Sequence, residues 1–592
     1  MKELKYPFKS AYIRRKKKSI KRNLLQKENL IEKKIAILGG STTNEVKDMM
    51  ELFLLDYGFK PSFYESEFGR YWEDAVFGNE ELDEFKPDIV YIHTSVRNII
   101  AFPEISEDEK AIEEKRNQQF QHMAEVWKSV SEKYHCVIIQ NNFDYPYYRL
   151  MGNQDASNIH GRVNFVCELN RMIYEYAQSH EGFFINDINY QAAEFGLKEW
   201  ANPQYWYMYK YAMCPDAMAT VGFNVANIIK SVYGKNKKAL AIDLDNTMWG
   251  GIVGDDGVEN LKLGKEAPEG EVFDEFQHYL KELQKQGVLL NIISKNEREN
   301  AIAGIHHPQM VLKEEDFISI KANWDPKSKN LVEMAGDIGI LPESFVFVDD
   351  NPAEREIIRQ QVPGAGIANL ESPEQYISAI DGAGFFEVTT ISKDDLERTS
   401  MYRKNSQRME LQKSFTNYKD YLASLKMKAV IKPFESVYMA RIAQLTNKSN
   451  QFNLTTRRYS QEEIESIAAD DRYITLYGSL EDCFGDNGVV SIVIGEIVDG
   501  HLDIILWLMS CRVLKRDMEY AVMDRLMHIC KEKGISEVYG YYYPTAKNGM
   551  VKLFYDDQGF DQVSCDEDGN SVWKMQVEQY EDKNDLIEVN AE

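Results

Sequence analysis

Cysteine and histidine are scarce in this chain. The seven cysteines (Cys136, Cys167, Cys214, Cys483, Cys511, Cys530 and Cys565) are odd in number, scattered and without CxxC spacing. That excludes a disulfide framework, argues against a zinc site and fits a reducing cytoplasm. The ten histidines form no ligand cluster. No apolar run is long enough to span a bilayer, and no apolar core follows the basic residues near the start, as a signal peptide requires. Positive charge is in deficit, with 69 Lys and Arg against 95 Asp and Glu and a formal net charge of -26. That argues against nonspecific nucleic-acid binding, while leaving room for a phosphorylated metabolite held by a local cation. Internal repeats and low-complexity tracts are also absent.

Hydrophobic residues make up 44% of the 592 positions and aromatics 12%, enough for several cores. The length points to roughly three or four domains. Residues 1–32 form a basic arm (Arg14, Arg15, Lys16, Lys17, Lys18, Lys21, Arg22), either a docking element for an acidic partner or an exposed first helix. Residues 33–234 alternate strands (KKIAILGG, DIVYIHTSV, HCVIIQNNF, EGFFINDINY) with helices, including one around Ala111–Lys133, which predicts a covered parallel sheet. Residues 235–392 repeat that alternation. Residues 393–425 read as a charged helical connector. Residues 426–577 hold the strands RYITLYGSL, GVVSIVIGEIV and HLDIILWLM, with a hairpin at Asp499–Gly500, and a helix ended by Gly534. Ser460 and Glu463 have capping-box spacing. Residues 578–592 close an acidic tail, read as solvated surface. The aromatic runs YPYY and WYMYKY read as core support.

The most informative stretch is KKALAIDLDNTMWGG, Lys237 to Gly251. An apolar strand delivers Asp243 and Asp245, two residues apart and so expected on one side. Such a pair suits magnesium-dependent phosphoryl transfer: one carboxylate attacks phosphorus and the other handles the leaving-group proton. Ser294 ends a second strand, GVLLNIIS, and can bond a phosphoryl oxygen. Lys327 supplies a cation for the developing charge. Asp349 and Asp350 end a third strand, FVFVDD, as hard oxygen ligands. These four pieces resemble the haloacid dehalogenase (HAD) superfamily pattern DxDxT, S/T, K, DD.

With GGSTTN, DLDNTMWGGIVGDDG, QLTNKSNQFNLTTRRYS, CFGDNG and SCRVLKRDMEYAV, nearly the whole chain is similar to FkbH-like proteins, HAD subfamily IIIC. The resemblance implies an α/β chain of three domains: an SGNH or flavodoxin-like parallel sheet, a Rossmann-like HAD domain and a GNAT-like α+β domain. It implies an enzyme that dephosphorylates 1,3-bisphosphoglycerate and passes the glyceryl group to the phosphopantetheine thiol of an acyl carrier protein in polyketide-type biosynthesis. Asp243 would be the nucleophile and Asp245 the acid/base. Mg²⁺ would rest on Asp243, the carbonyl of Asp245 and Asp349, with Asp350 as a further ligand or support. Ser294 and Lys327 would hold phosphoryl oxygens. Thr247, Trp249, Gly250 and Gly251 are the candidate substrate-binding positions of the following loop, although Trp249 could equally pack.

Acyl transfer needs a thiol, the carrier's own or one on the protein. Cys511 is the candidate, beside Arg512 (the third unit's candidate substrate-binding cation) and just ahead of a helix, where thiolate is favoured; a plain core residue is the alternative. Cys483, among carboxylates, is a weaker candidate. Arg457 and Arg458 either bind a phosphate of the carrier arm or are solvated. The GNAT resemblance departs at Lys515 and Asp517, where glycines are expected to cradle a coenzyme A diphosphate. GGST resembles the SGNH nucleophile block at Ser41, but Asp187 is followed by Ile188, Asn189 and Tyr190 rather than a histidine base. Ser41 therefore reads as a turn residue with a residual binding role. The competing functions are a plain HAD phosphomonoesterase on a small phosphorylated metabolite and a non-catalytic carrier-docking component.

Overall fold

The computed structural model describes residues 1–590 apart from 392, 450 and 546. It divides into two compact units, Met1–Val232 and Tyr233–Glu592. The first unit holds a five-stranded parallel sheet of β1 (Ile31–Gly39), β2 (Phe59–Glu65), β3 (Ile89–His93), β4 (Val137–Asn141) and β5 (Phe183–Asn186), ordered β2-β1-β3-β4-β5. β3 is buried along its whole length, as a strand covered on both faces must be. The four apolar runs read from the sequence are β1, β3, β4 and β5, and the predicted helix spans Glu109–Tyr134. β2 gave no apolar signal because it is an edge strand, mostly half-exposed and carrying Pro61.

The basic segment is a docked helix rather than a loose arm. Ser10–Leu24 buries Ile13, Ile20 and Leu24. Arg14 pairs with Asp216, Lys17 with Glu45 and Asp48, and Lys21 with Glu51. The aromatic runs are core support only in part: Tyr145 packs on the core, whereas Tyr147, Tyr148, Tyr207 and Tyr209 are all exposed. Tyr147 and Tyr148 lie on a loop and Tyr207 and Tyr209 on the short Pro203–Tyr209 helix, and Arg97 lies 5.1 Å from the rings of both Tyr147 and Trp206.

The second unit carries two sheets. The first is parallel: β6 (Ala239–Ile242), β7 (Leu289–Ser294), β8 (Phe317–Ala322), β9 (Phe345–Val348) and β10 (Gly366–Ile367), ordered β10-β9-β6-β7-β8. Alternate residues feed two cores. Leu240, Ile242, Leu290, Ile292, Val346 and Val348 pack on one face, and Ala239, Ala241, Leu289, Ile293, Phe345 and Phe347 on the other. β6 sits at the centre of this sheet, so its C-terminal end opens at the middle of the sheet edge where open α/β folds bind ligands.

The other sheet is mixed and nine-stranded. Its strands are β11 (Lys428–Lys432), β12 (Phe452–Asn453), β13 (Tyr473–Asp482), β14 (Gly485–Val498), β15 (His501–Met509), β16 (Glu537–Tyr542), β17 (Asp561–Cys565), β18 (Ser571–Gln576) and β19 (Glu588–Asn590). β15 and β16 run parallel, and β13, β14 and β15 form an antiparallel meander. Asp499 and Gly500, both at positive φ, make the predicted tight turn between β14 and β15. The Ser460–Glu463 capping box starts the Gln461–Ala468 helix as expected. The acidic tail is not free surface. Asp524 accepts from the Tyr580 hydroxyl and from the main-chain N–H groups of Lys583 and Asn584, and β19 then adds to β11. Residues 591 and 592 lie outside the described part. Among the described residues no helix is long and apolar enough to cross a membrane.

Candidate active site

Three carboxylates meet at the C-terminal ends of β6 and β9. Asp243 follows β6, and Asp349 and Asp350 follow β9; each offers an oxygen within 4.8 Å of the others. Lys327, first residue of the Lys327–Ile338 helix, bridges two of them, 2.9 Å from Asp243 and 2.6 Å from Asp349. Asp349 is fully buried and Asp243 and Lys327 nearly so. Burial pushes Asp243 up to about 6 against the pull of Lys327. Asp349 and Asp350 are likewise raised by burial. Burial works against the Lys327 charge, but Asp243 and Asp349 outweigh it and raise its pKa. Two buried carboxylates and a half-buried third, with a single bridging lysine, retain an excess of negative charge. That donor set, all hard oxygen, fits a divalent cation such as Mg²⁺.

Asp245 differs from its sequence expectation. β6 stops at Ile242 and the chain turns, with Asn246 in the left-handed region, so Asp245 does not share a strand face with Asp243. Its carboxylate accepts from Trp249 Nε1 at 2.9 Å, the Val253 N–H at 3.0 Å and Asn296 Nδ2 at 2.8 Å. It stands apart from the acidic cluster, aimed by three donors. Trp249 is fully buried and lies so close to Gly304 that a Cβ there would meet its ring at 2.7 Å. The indole therefore serves as a fixed donor to Asp245. Thr247 is also buried; its hydroxyl accepts from the Asp350 N–H at 3.2 Å and so ties the β6 turn to the β9 turn. Ser294 is buried at the end of β7, 3.4 Å from Asn296 Nδ2.

Both loop glycines are dictated by close approach. Gly250 pairs with Lys262, whose Cβ would stand 2.9 Å from an added Cβ. Gly251 has a φ of 103° and faces the Asp256 carboxylate, which accepts from the Ile252 N–H. Sequence reasoning missed Asn296 and Arg355. Arg355 donates to the carbonyls of Asp349 and Asp350 and fixes their turn. Its position one helical turn past the DD pair was the available signal.

The third sheet's candidates lie elsewhere. Cys511 is half-buried just past β15, with the Tyr402 hydroxyl 3.5 Å from its sulfur. Arg512 contacts the Ser510 hydroxyl and the Met401 sulfur. Lys515 and Asp517 both hold positive φ, so the conformation glycine would favour persists without glycine. Cys483 is exposed. Arg458 caps a helix end by donating to the carbonyls of Thr446 and Asn447.

In the first unit Ser41 follows β1, beside β3, whose last residue His93 pairs with Gly39. Both side chains are buried, and neither Ser41 Oγ nor His93 Nε2 has a hydrogen-bond partner. His93 Nδ1 is taken by the Tyr91 hydroxyl at 2.8 Å and Asn141 at 3.1 Å. Asp187 caps the Ile188–Phe195 helix through the Tyr190 N–H and accepts from Asn142.

Residues 34–230 match the family described as FkbH, N-terminal domain. The crystal structure of the N-terminal part of the protein BF1531 from Bacteroides fragilis, containing a phosphatase domain complexed with Mg, is 26% identical. The likeness covers 64% of this chain and 99% of that one, at a TM-score of 0.57. About a quarter of the chain also matches the Escherichia coli ribosomal-protein-S18-alanine N-acetyltransferase, at 13% identity over 94% of that chain and a TM-score of 0.20. No curated protein matches. The phosphatase likeness and the acidic cluster together support HAD-type phosphatase chemistry in general.

Proposed function

We propose that this chain, a member of the FkbH-like family, is a Mg²⁺-dependent phosphatase that also loads an acyl group, the glyceryl of 1,3-bisphosphoglycerate, onto an acyl carrier protein thiol. The observation that carries the phosphatase half is the buried Asp243–Lys327–Asp349 arrangement beside Asp350. Asp243, Asp349, Asp350 and the Asp245 carbonyl would hold the cation, which when bound supplies positive charge opposite the phosphoryl oxygens. Asp243 attacks phosphorus and carries the phosphoryl group as an acyl phosphate. Asp245, oriented by Trp249, Val253 and Asn296, donates the proton to the leaving oxygen and withdraws one from the water that follows. Lys327 and Ser294 steady the charge on the transferring group. Gly250 and Gly251 shape the covering loop.

The loading half rests on the family resemblance, on the half-buried thiol of Cys511 and on Arg512 beside it. The mixed sheet would then be the GNAT-like acyltransferase domain and the first unit an SGNH-like domain without hydrolytic activity. Intact-mass spectrometry of the protein with holo carrier, Mg²⁺ and 1,3-bisphosphoglycerate generated in place tests this. A glyceryl group on the carrier, without its phosphate, is expected; phosphate release with an unmodified carrier would leave the phosphomonoesterase alone.

A further inference from the structure

The turn after β1, residues 40–42, is held from two sides. Asn98 Nδ2 donates to the Gly40 carbonyl at 2.9 Å, and the Thr42 N–H donates to the Lys210 carbonyl at 3.0 Å. Arg97 precedes Asn98, so this one turn brings Arg97 and Lys210 to the C-terminal edge of the first sheet. Both reach the same ring. The Arg97 guanidinium lies 5.1 Å from the centre of the Trp206 ring and Lys210 Nζ lies 5.5 Å from it. Arg97 lies over Tyr147 as well.

Neither cation is answered. Among the described residues, neither side chain donates a hydrogen bond to a protein group or pairs with a carboxylate. Asp144 feels the Arg97 charge, but it is buried, and its two oxygens accept from the Val96 N–H at 2.9 Å and from Trp200 Nε1 at 3.0 Å. Elsewhere in this unit cations are matched: Lys47 with Glu65, Lys115 with Glu107, Lys133 with Asp83. Two like charges at one indole repel each other, and a ring attracts each only modestly. A guanidinium over a ring keeps its in-plane N–H groups for another partner, and that planar fork matches a phosphate. The pair is therefore a place for an anion, at the sheet edge where α/β folds bind ligands.

The surroundings indicate how large the bearer of that anion is. Phe68, 6.4 Å from the Trp206 ring, is 51% exposed, and Tyr207, beside Trp206 on the same helix, is 69% exposed. Tyr148 packs edge-on against Tyr147 at 4.8 Å, and both rings are exposed. This aromatic rim is more than a three-carbon phosphometabolite can cover, and it fits a protein surface.

We propose that the rim docks the acyl carrier protein, with Arg97 and Lys210 holding the phosphodiester that joins phosphopantetheine to it. The identity of the occupant rests on the loading reaction above. A carrier presents that phosphodiester whatever its sequence, and its apo form lacks it. Trp206 and Tyr147 meet the apolar surface around the attachment point. No bond is made or broken here; the first unit recognises the carrier.

Fluorescence anisotropy of a labelled carrier, holo and apo, titrated with the full chain tests this. The holo form should bind at least about tenfold more tightly than the apo form, as charge-assisted hydrogen bonds imply. The double variant Arg97→Gln, Lys210→Gln should lose that difference. It should also raise the KM for holo carrier in glyceryl loading at least about tenfold while kcat stays within about twofold. Arg97→Lys alone, which keeps the charge, should hold holo binding within about threefold. Unchanged thermal unfolding by circular dichroism reports an intact fold. In the unaltered chain, free phosphopantetheine should displace the holo carrier and 3-phosphoglycerate should not. Equal binding of holo and apo carrier, or a KM unmoved in the double variant, overturns the proposal and leaves the loading reaction standing. Displacement by 3-phosphoglycerate assigns the cation pair to a free metabolite and overturns it too. A carrier neither bound nor loaded, with phosphate still released, removes the loading reaction itself and the occupant with it.

Discussion

Two parallel sheets in this chain carry groups of opposite character at the C-terminal ends of their strands. Beyond β6 stand three carboxylates and a lysine. Beyond β1 stand a hydroxyl, an imidazole and amides: Ser41, His93, Asn141 and Asn186. Both edges are buried and both lie where α/β sheets bind ligands. The charged edge holds ionised groups in place through Lys327 and can turn a phosphoryl group over. At the neutral edge Ser41 Oγ and His93 Nε2 have no hydrogen-bond partner among the described residues, and His93 turns its Nδ1 to Tyr91 and Asn141. The same architecture thus carries different groups at its two edges, and the difference lies in a few side chains at the strand ends and on the loops after them.

The comparison can be broken most severely at Asp243. Asp243→Asn should cut phosphomonoester hydrolysis at least about a thousandfold, with circular dichroism unchanged. Asp245→Asn should cost roughly a hundredfold to ten-thousandfold, chiefly in kcat, and Trp249→Phe, which removes one of its three donors, about tenfold. His93 sharpens the other side. Burial lowers its pKa from 6.5 to about 4. The unfolded chain therefore binds a proton that the folded chain refuses as pH falls through about 6.5. Stability present above that pH is lost down to about 4, about 3 kcal/mol in all. Pulse proteolysis of the full chain in urea should show this loss, and His93→Gln should flatten it. Ser41→Ala should change phosphate release less than about twofold, as expected of a residue outside the phosphoryl site.

Much of the charged edge was legible in the sequence because its residues directly follow apolar strands. Asp243, Ser294, Asp349 and Asp350 all stand at such ends. What could not be read is what acts across the chain. Trp249 and Asn296 come from different turns to hold Asp245, and no local pattern announces that pairing. The strand's early end likewise separates Asp245 from Asp243 despite their spacing of two. The acidic tail read as solvated because charge dominates its composition, yet Tyr580 and Ile587 anchor it.

The most direct test of the account is phosphate release from a small phosphomonoester by the full chain, with and without Mg²⁺, in the native protein and in Asp243→Asn. Release that requires Mg²⁺ and vanishes in the variant is the predicted result. Release that survives Asp243→Asn, or needs no divalent cation, would contradict the assignment of the charged edge as the phosphoryl site.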